Sequence, residues 1–272
     1  MMHETLIKHF ALKGMPFRRD LDPAALHRHD DHAQACARIA WTIADKAIGV
    51  LTGEVGVGKT VAIRATLAGL DPTRHTIIYI ANPAVGTRGI CHHIVVSLGG
   101  RPHLHRAILI PQAADALATE QAERARTPVV IIDEAHLLEH DQLESIRMLT
   151  NHDLDSRSPG AILLVGQPTL RRQIKLGVLT ALDQRIGVRW HMTGMTEAET
   201  AGYITHHLAQ QGRSEPLFSE DAIALIHESA RGRPRSVNNL ATAALVAGFA
   251  TGKKIVDESA ARAAVSEVIA TE

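Results

Sequence analysis

The chain has 272 residues, enough for one large domain or a medium one beside a small one, and its 45% hydrophobic content supports a core that 3% aromatics leave to Ala, Val, Leu and Ile. Lys plus Arg (29) balance Asp plus Glu (29), so no overall field draws the protein to nucleic acid, and any DNA contact must come from a local patch or from several subunits together. Two isolated cysteines, Cys36 and Cys91, exclude a disulfide framework, and neither a signal-peptide pattern nor an apolar run near the roughly 18 residues of a membrane span is present, so a cytoplasmic location without a membrane partner is expected.

Residues 1–46 read as a turn-rich lead with apolar anchors at Phe10, Leu12, Pro16 and Phe17, followed by a helix over Asp30–Lys46 that holds Ile39, Trp41 and Ile43. This lead is expected to pack beside the core that follows or on a neighbouring subunit, with Phe17 either in the core or near a bound ligand. Ile48–Leu51 is short and apolar enough for a buried strand. Directly after it, Gly53-Glu-Val-Gly-Val-Gly-Lys-Thr60 fits the phosphate-binding pattern G-x-x-x-x-G-K-[ST], and Val61–Ala68 is apolar at helical spacing. Gly53, Gly56 and Gly58 are expected to make the turns that bring backbone N–H groups up to phosphates, with Glu54, Val55, Val57 and Val61 completing the cradle. Lys59 supplies a charge for the β- and γ-phosphates, and the Thr60 hydroxyl suits Mg²⁺. The pattern thus implies binding of ATP or a related triphosphate.

Thr76–Ala81 reads as a second buried strand. Basic residues follow it at Arg88, His92, His93 and Arg101, with Arg157 further on, and position alone makes each an ordinary exposed base. The 17 histidines, several of them adjacent, lack Cys or carboxylate partners at ligand spacing, so no structural metal site is expected. Pro128–Asp133 is a third strand. An aspartate at its end can hold Mg²⁺, and Glu134 directly after it suits activation of an attacking water, so Asp133 is the candidate metal ligand and Glu134 the candidate general base.

The fourth strand, Ala161–Val165, leads to Gln167, whose amide either contacts the γ-phosphate and the water or caps a turn. Arg185 precedes a fifth strand, Gly187–His191, and serves either as an arginine finger for a neighbour's phosphates or as a salt-bridged surface residue. Beyond a boundary near Thr193-Gly194 the chain turns wholly helical, with helices over Glu197–Gln211, Ser219–Ser229, Pro234–Gly248 and Asp257–Ile269. Pro234 suits a first helical turn and leaves Arg235 near a helix start, in reach of phosphates or in a solvated cap. Alternating strands and helices indicate a parallel sheet covered on both faces. The domains expected are 1–46, 47–193 and a helical lid over 194–272.

Taken together these residues resemble the AAA+ ATPases, and four stretches narrow the resemblance: His9–Phe17, Leu149–Arg157, Val165–Arg172 and Gly232–Arg235 are similar to the ExeA-like ATPases and to the transposition ATPases called TniB, TnsC and IstB. The resemblance implies a five-stranded sheet of order 5-1-4-3-2 with a helical lid, Mg²⁺-dependent ATP hydrolysis, and assembly into rings or filaments. It assigns the sensor 1 role to Gln167, where asparagine or threonine is usual, the arginine finger to Arg185 and sensor 2 to Arg235. Two functions compete within the group. One branch continues into a transmembrane segment and a peptidoglycan-binding domain and assembles the type II secretion pore. The other comprises short ATPases that assemble on duplex DNA, select the target and recruit a DDE-type transposase; for that branch the resemblance makes Arg88, His92, His93, Arg101 and Arg157 the candidate contacts to duplex DNA. The lack of membrane machinery in this sequence favours the second expectation. A nucleotide-switched scaffold with slow hydrolysis is a third.

Overall fold

The computed structural model describes residues 2–18, 25–151 and 158–269. They fall into two compact units. One comprises Gln34–Val55 and Lys59–Met192; the other comprises Met1–Ala33, Gly56–Gly58 and Thr193–Glu272.

The first is an α/β unit. Five parallel strands, β1 (Ile48–Gly53), β2 (His75–Ile80), β3 (Thr127–Ile132), β4 (Ala161–Gly166) and β5 (Ile186–Met192), take the order β2-β3-β4-β1-β5, the expected 5-1-4-3-2 arrangement. The continuous apolar runs of β1 and β4 are buried at every position, as strands covered on both faces must be. β2 departs from the fully buried strand expected: it lies at the sheet edge, with Ile78 and Ile80 buried but Ile77 and Tyr79 exposed, because only one of its faces meets the core. Helices α3 (Lys59–Ala68), α4 (Gly86–Ser97), α5 (Arg106–Arg124), α6 (His140–Met148), α7 (Pro168–Ile174) and α8 (Thr180–Arg185) connect the strands. Most of α2 (Asp30–Ala44) belongs here too, and it runs so close to β1 that a Cβ on Gly49 would meet Thr42 Oγ1 at 2.6 Å. Glycine is the residue that permits this approach.

The second unit is helical. It holds α9 (Glu197–Gln210), α10 (Glu220–Ala230), α11 (Pro234–Ala250) and α12 (Glu258–Ile269). Local sequence sets their starts. Thr196 caps α9 in a reciprocal box: its hydroxyl accepts from Glu199 N (3.3 Å) while Glu199 Oε2 accepts from Thr196 N (2.8 Å). Ser219 Oγ accepts from Ala222 N (3.2 Å) at the start of α10, and Pro234 occupies the first turn of α11. The lead is more ordered than a turn-rich stretch, since Met2–His9 forms α1, with Leu6 on its buried side and its last turn carrying Lys8 and His9. Its anchors Phe10, Leu12 and Phe17 are buried in this helical core, where the Phe17 ring lies 5.4 Å from that of His207. Among the described residues, no helix is long and apolar enough to cross a membrane.

A candidate nucleotide site at the carboxyl ends of β1, β4 and β3

Three neighbouring parallel strands end together. Thr52 of β1 pairs with Gly166 of β4, and Leu164 of β4 pairs with Ile132 of β3, so the loop after Gly53, the turn at Gln167 and the pair Asp133-Glu134 all issue from the same sheet end. Ligands of open parallel sheets bind there.

The loop leaves β1 and runs into α3. Gly56 and Gly58 adopt φ of +83° and +107°, backbone that side chains rarely tolerate. Gly53 differs from its expected turn-making role: it closes β1, paired with Met192, and is extended and buried. Val57 is fully buried, which anchors the loop's centre, whereas Glu54 and Val55 are exposed. Lys59 opens α3, and its ammonium donates to the carbonyls of Gly53 (2.7 Å) and Glu54 (3.0 Å), holding its charge across the loop. Thr60, exposed, and Val61, half-buried, follow in the first turn of α3, so the positive end of the helix faces the loop. This donor set fits a polyphosphate.

Asp133 directly follows β3 and is 8% exposed. Both its oxygens already accept: Oδ1 from Glu134 N (2.9 Å) and Oδ2 from the Tyr79 hydroxyl (2.7 Å). The carboxylate is thereby oriented, and each oxygen retains lone pairs for a cation or its water. A buried carboxylate and the Thr60 hydroxyl are hard oxygen donors of the kind Mg²⁺ takes. Burial chiefly, and then the bond to Asp133, push the Tyr79 phenol well above its ordinary value, so it stays a donor. Glu134 takes the left-handed conformation (φ 50°, ψ 33°), a backbone strain concentrated at the candidate base. Two residues on, His136 Nδ1 lies 3.3 Å from Glu134 Oε2 and 3.4 Å from the backbone N of Gln167. Gln167 is half-buried and stands as the residue before Pro168 at the start of α7. Tyr79 and His136 were not anticipated. The apolar run of β2 carried no signal for the first, whereas the run Asp133-Glu-Ala-His136 at a strand end carried one for the second.

Arg185 sits elsewhere. It precedes Ile186, which pairs with Ile48 at the amino end of β1, while Met192 pairs with Gly53 at the carboxyl end. At about 3.3 Å per residue, the length of β1 puts roughly 17 Å between Arg185 and its own loop. Its guanidinium donates to the Thr150 carbonyl (3.0 Å). In the helical unit, Arg235 is exposed in the first turn of α11, and its backbone N–H donates to the carbonyl of Gly56, which groups with that unit (3.2 Å). A Cβ on Gly56 would meet Arg235 Cβ at 2.9 Å.

Of the basic residues considered for DNA, Arg88 and His92 lie one turn apart on α4 and are exposed, as are His93 and Arg101. Arg157 lies outside the described residues.

Residues 43–174 match the family described as AAA domain. The chain is 33% identical over 253 residues to general secretion pathway protein A of Aeromonas hydrophila, an alignment covering 91% of this chain and 46% of that protein. The chain therefore spans about half the length of this relative. Among solved structures, Cdc6p of Pyrobaculum aerophilum superposes with a TM-score of 0.65 at 19% identity, covering 88% of this chain and 67% of that one. The ORC2 protein of Aeropyrum pernix, in ADPNP–ADP complexes, gives 0.64 at 20% identity over 92% and 71% of the two chains. The Aeropyrum pernix ORC1 protein in complex with DNA gives 0.63 at 16% identity over 93% and 68%. At these identities the structures speak for the fold. The phosphate loop, the acidic strand end, the sheet order and these likenesses agree on a nucleotide-binding chain with the AAA+ P-loop fold, in which residues 43–174 are similar to the AAA domain family.

Proposed function

We propose that this chain is a Mg²⁺-dependent ATPase whose ATP-bound form joins head to tail into rings or filaments. We take residues 47–193 as its nucleotide-binding domain, 194–272 as its lid and 1–46 as its lead. The observation that carries this is the position of Arg185, at the opposite end of the sheet from the phosphate loop of its own chain. An arginine there serves a γ-phosphate only on another copy. Gly53–Val61 and Lys59 cradle the phosphates; Glu134 takes a proton from the attacking water; Gln167 orients that water; Arg235 contacts the nucleotide from the lid. Thr60 and Asp133 hold Mg²⁺, which supplies charge neutralisation on the phosphates when bound. Loss of the base costs roughly 10²–10⁴ in rate and loss of a finger roughly 10³–10⁵.

The secretion-type role is the reading we favour for the assembled protein, because the relative with 33% identity over 91% of this chain is a general secretion pathway protein A. The absence of a membrane segment from this sequence does not weigh against it, since the chain spans 46% of that relative. The exposed bases Arg88, His92, His93 and Arg101 support the second reading, an ATPase that assembles on duplex DNA in the cytoplasm and recruits a DDE-type transposase.

Assembly with MgATPγS, with and without linear duplex DNA, followed by light scattering and electron microscopy, tests both. ATP-dependent growth indifferent to DNA supports the secretion-type role. Growth only with both ligands supports the DNA-directed one. A protein that binds ATP yet stays monomeric in every mixture would refute head-to-tail assembly.

A further inference from the structure

The imidazole of His136 faces two partners with opposite demands through one nitrogen. Nδ1 lies 3.3 Å from Glu134 Oε2 and 3.4 Å from Gln167 N. An ionised carboxylate only accepts, and a backbone N–H only donates, so Nδ1 needs a proton for the first and a lone pair for the second. It cannot serve both at once.

The surroundings hold this arrangement in place. The left-handed backbone at Glu134 and the 3-10 turn Ala135–Leu137 bring the side chains of residues 134 and 136 to the same side. The His136 side chain is 12% exposed, whereas that of Glu134 is 47% exposed and relies on contacts for its orientation. β4 ends at Gly166, where a Cβ would come within 3.1 Å of His136 N and 3.4 Å of His136 Cβ, so the glycine lets the turn carrying the histidine lie directly on the strand end that leads to Gln167.

We propose that His136 is a positioning residue that links Glu134 to the β4–α7 turn by exchanging between two neutral tautomers. With the proton on Nε2, the Nδ1 lone pair takes the Gln167 amide and Glu134 is not held. With the proton on Nδ1, the imidazole donates to Glu134 Oε2, leaving Oε1 for the attacking water, and the Gln167 amide is released. The exchange moves one proton between the two nitrogens through water and leaves the net charge unchanged. When a bound triphosphate draws the Gln167 backbone N–H away from Nδ1, the second state is favoured, so the base is oriented only with the triphosphate in place. This rests on the reading of Glu134 as the base of an ATPase.

The test is steady-state MgATP hydrolysis by His136→Ala, His136→Asn and His136→Gln, together with ¹⁵N spectra of the imidazole in MgADP and MgATPγS. Misorientation of the base predicts kcat lower by roughly 10- to 100-fold in His136→Ala, with KM within about two-fold of wild type. Asparagine places both a donor and an acceptor near Nδ1 and restores most of kcat; glutamine, which reaches the Nε2 position, does not. The His136 resonances, assigned by their loss in His136→Asn, report Nδ1 unprotonated with MgADP and protonated with MgATPγS. Unchanged or raised kcat in His136→Ala, or the same tautomer with both nucleotides, overturns the proposal. A wild-type protein that binds MgATP without hydrolysing it refutes the ATPase reading instead, and the spectra still decide the tautomer exchange.

Discussion

The Tyr79 hydroxyl donates to Oδ2 of Asp133 at 2.7 Å, tying the exposed edge strand β2 to the carboxylate that directly follows β3. A ligand carboxylate oriented from behind holds its cation better than a mobile one. Tyr79→Phe removes only the hydroxyl. The Mg²⁺ concentration for half-maximal hydrolysis should rise about 10-fold, while binding of ATP without Mg²⁺ stays unchanged. A Mg²⁺ titration of hydrolysis checks this, and an unaltered midpoint would show that the bond serves stability alone.

The proposed role of Arg185 as a finger for a neighbouring copy predicts rescue between crippled copies. Arg185→Ala keeps its loop and Lys59→Ala keeps its finger, so each is inactive alone. In an equal mixture, about a quarter of the junctions join an intact loop to an intact finger, and activity should return to that fraction of wild type. An arginine acting only within its own chain would leave the mixture as inactive as its components.

Acid should loosen the helical unit. His207, beside Tyr203 and Phe17, is pushed down to about 4 by burial and then by His206 and His27. His32 is pushed down to about 4, chiefly by burial, then by His29 and Arg28. Because the folded values lie below the unfolded value of about 6.5, the unfolded chain binds more protons between these limits. Stability is therefore complete above about pH 6.5 and is lost as pH falls towards 4. At pH 5 each histidine should cost about 2 kcal/mol relative to pH 7. Urea unfolding at the two pH values measures the loss, and His207→Leu should remove about half of it.

If DNA is a partner, the exposed bases on and after α4 contact its phosphates. Arg88→Glu and Arg101→Glu should then weaken binding equally across unrelated sequences and lower the slope of log K against log salt by about one each. Binding that falls for one sequence only, or keeps its full salt slope, would place the contact elsewhere.

Much of this site was legible because covalent spacing carries it. Gly53–Thr60 followed by a helix, and an acidic pair after Val129–Ile132, are local patterns whose geometry follows from the strand that precedes each. The edge position of β2 was not legible in the same way. Thr76–Ile80 reads as a continuous apolar run, and only the sheet order exposes Ile77 and Tyr79. Helix α1 was obscured by its low apolar content and by the glycine and prolines that follow it, and its fixing contact is remote: Phe10 packs among residues some 200 positions later. The pairing of Tyr79 with Asp133 likewise joins residues 54 positions apart, and the 3.3 Å approach of His136 to Glu134 depends on a positive φ that no propensity assigns to glutamate.

With Arg185 at the amino end of β5 and the loop at the carboxyl end of β1, each copy has two unlike poles. Contacts between unlike poles do not terminate by themselves. In head-to-tail assembly through Arg185, as proposed, two copies make one complete junction and leave one loop unserved. An open row of n copies always carries one idle nucleotide at the same end, and only closure gives every loop its arginine. Growth and turnover are then coupled by counting: specific activity climbs with length towards a plateau, and the unserved end is chemically distinct from all other positions, so a partner that recognises it can read where the row stops.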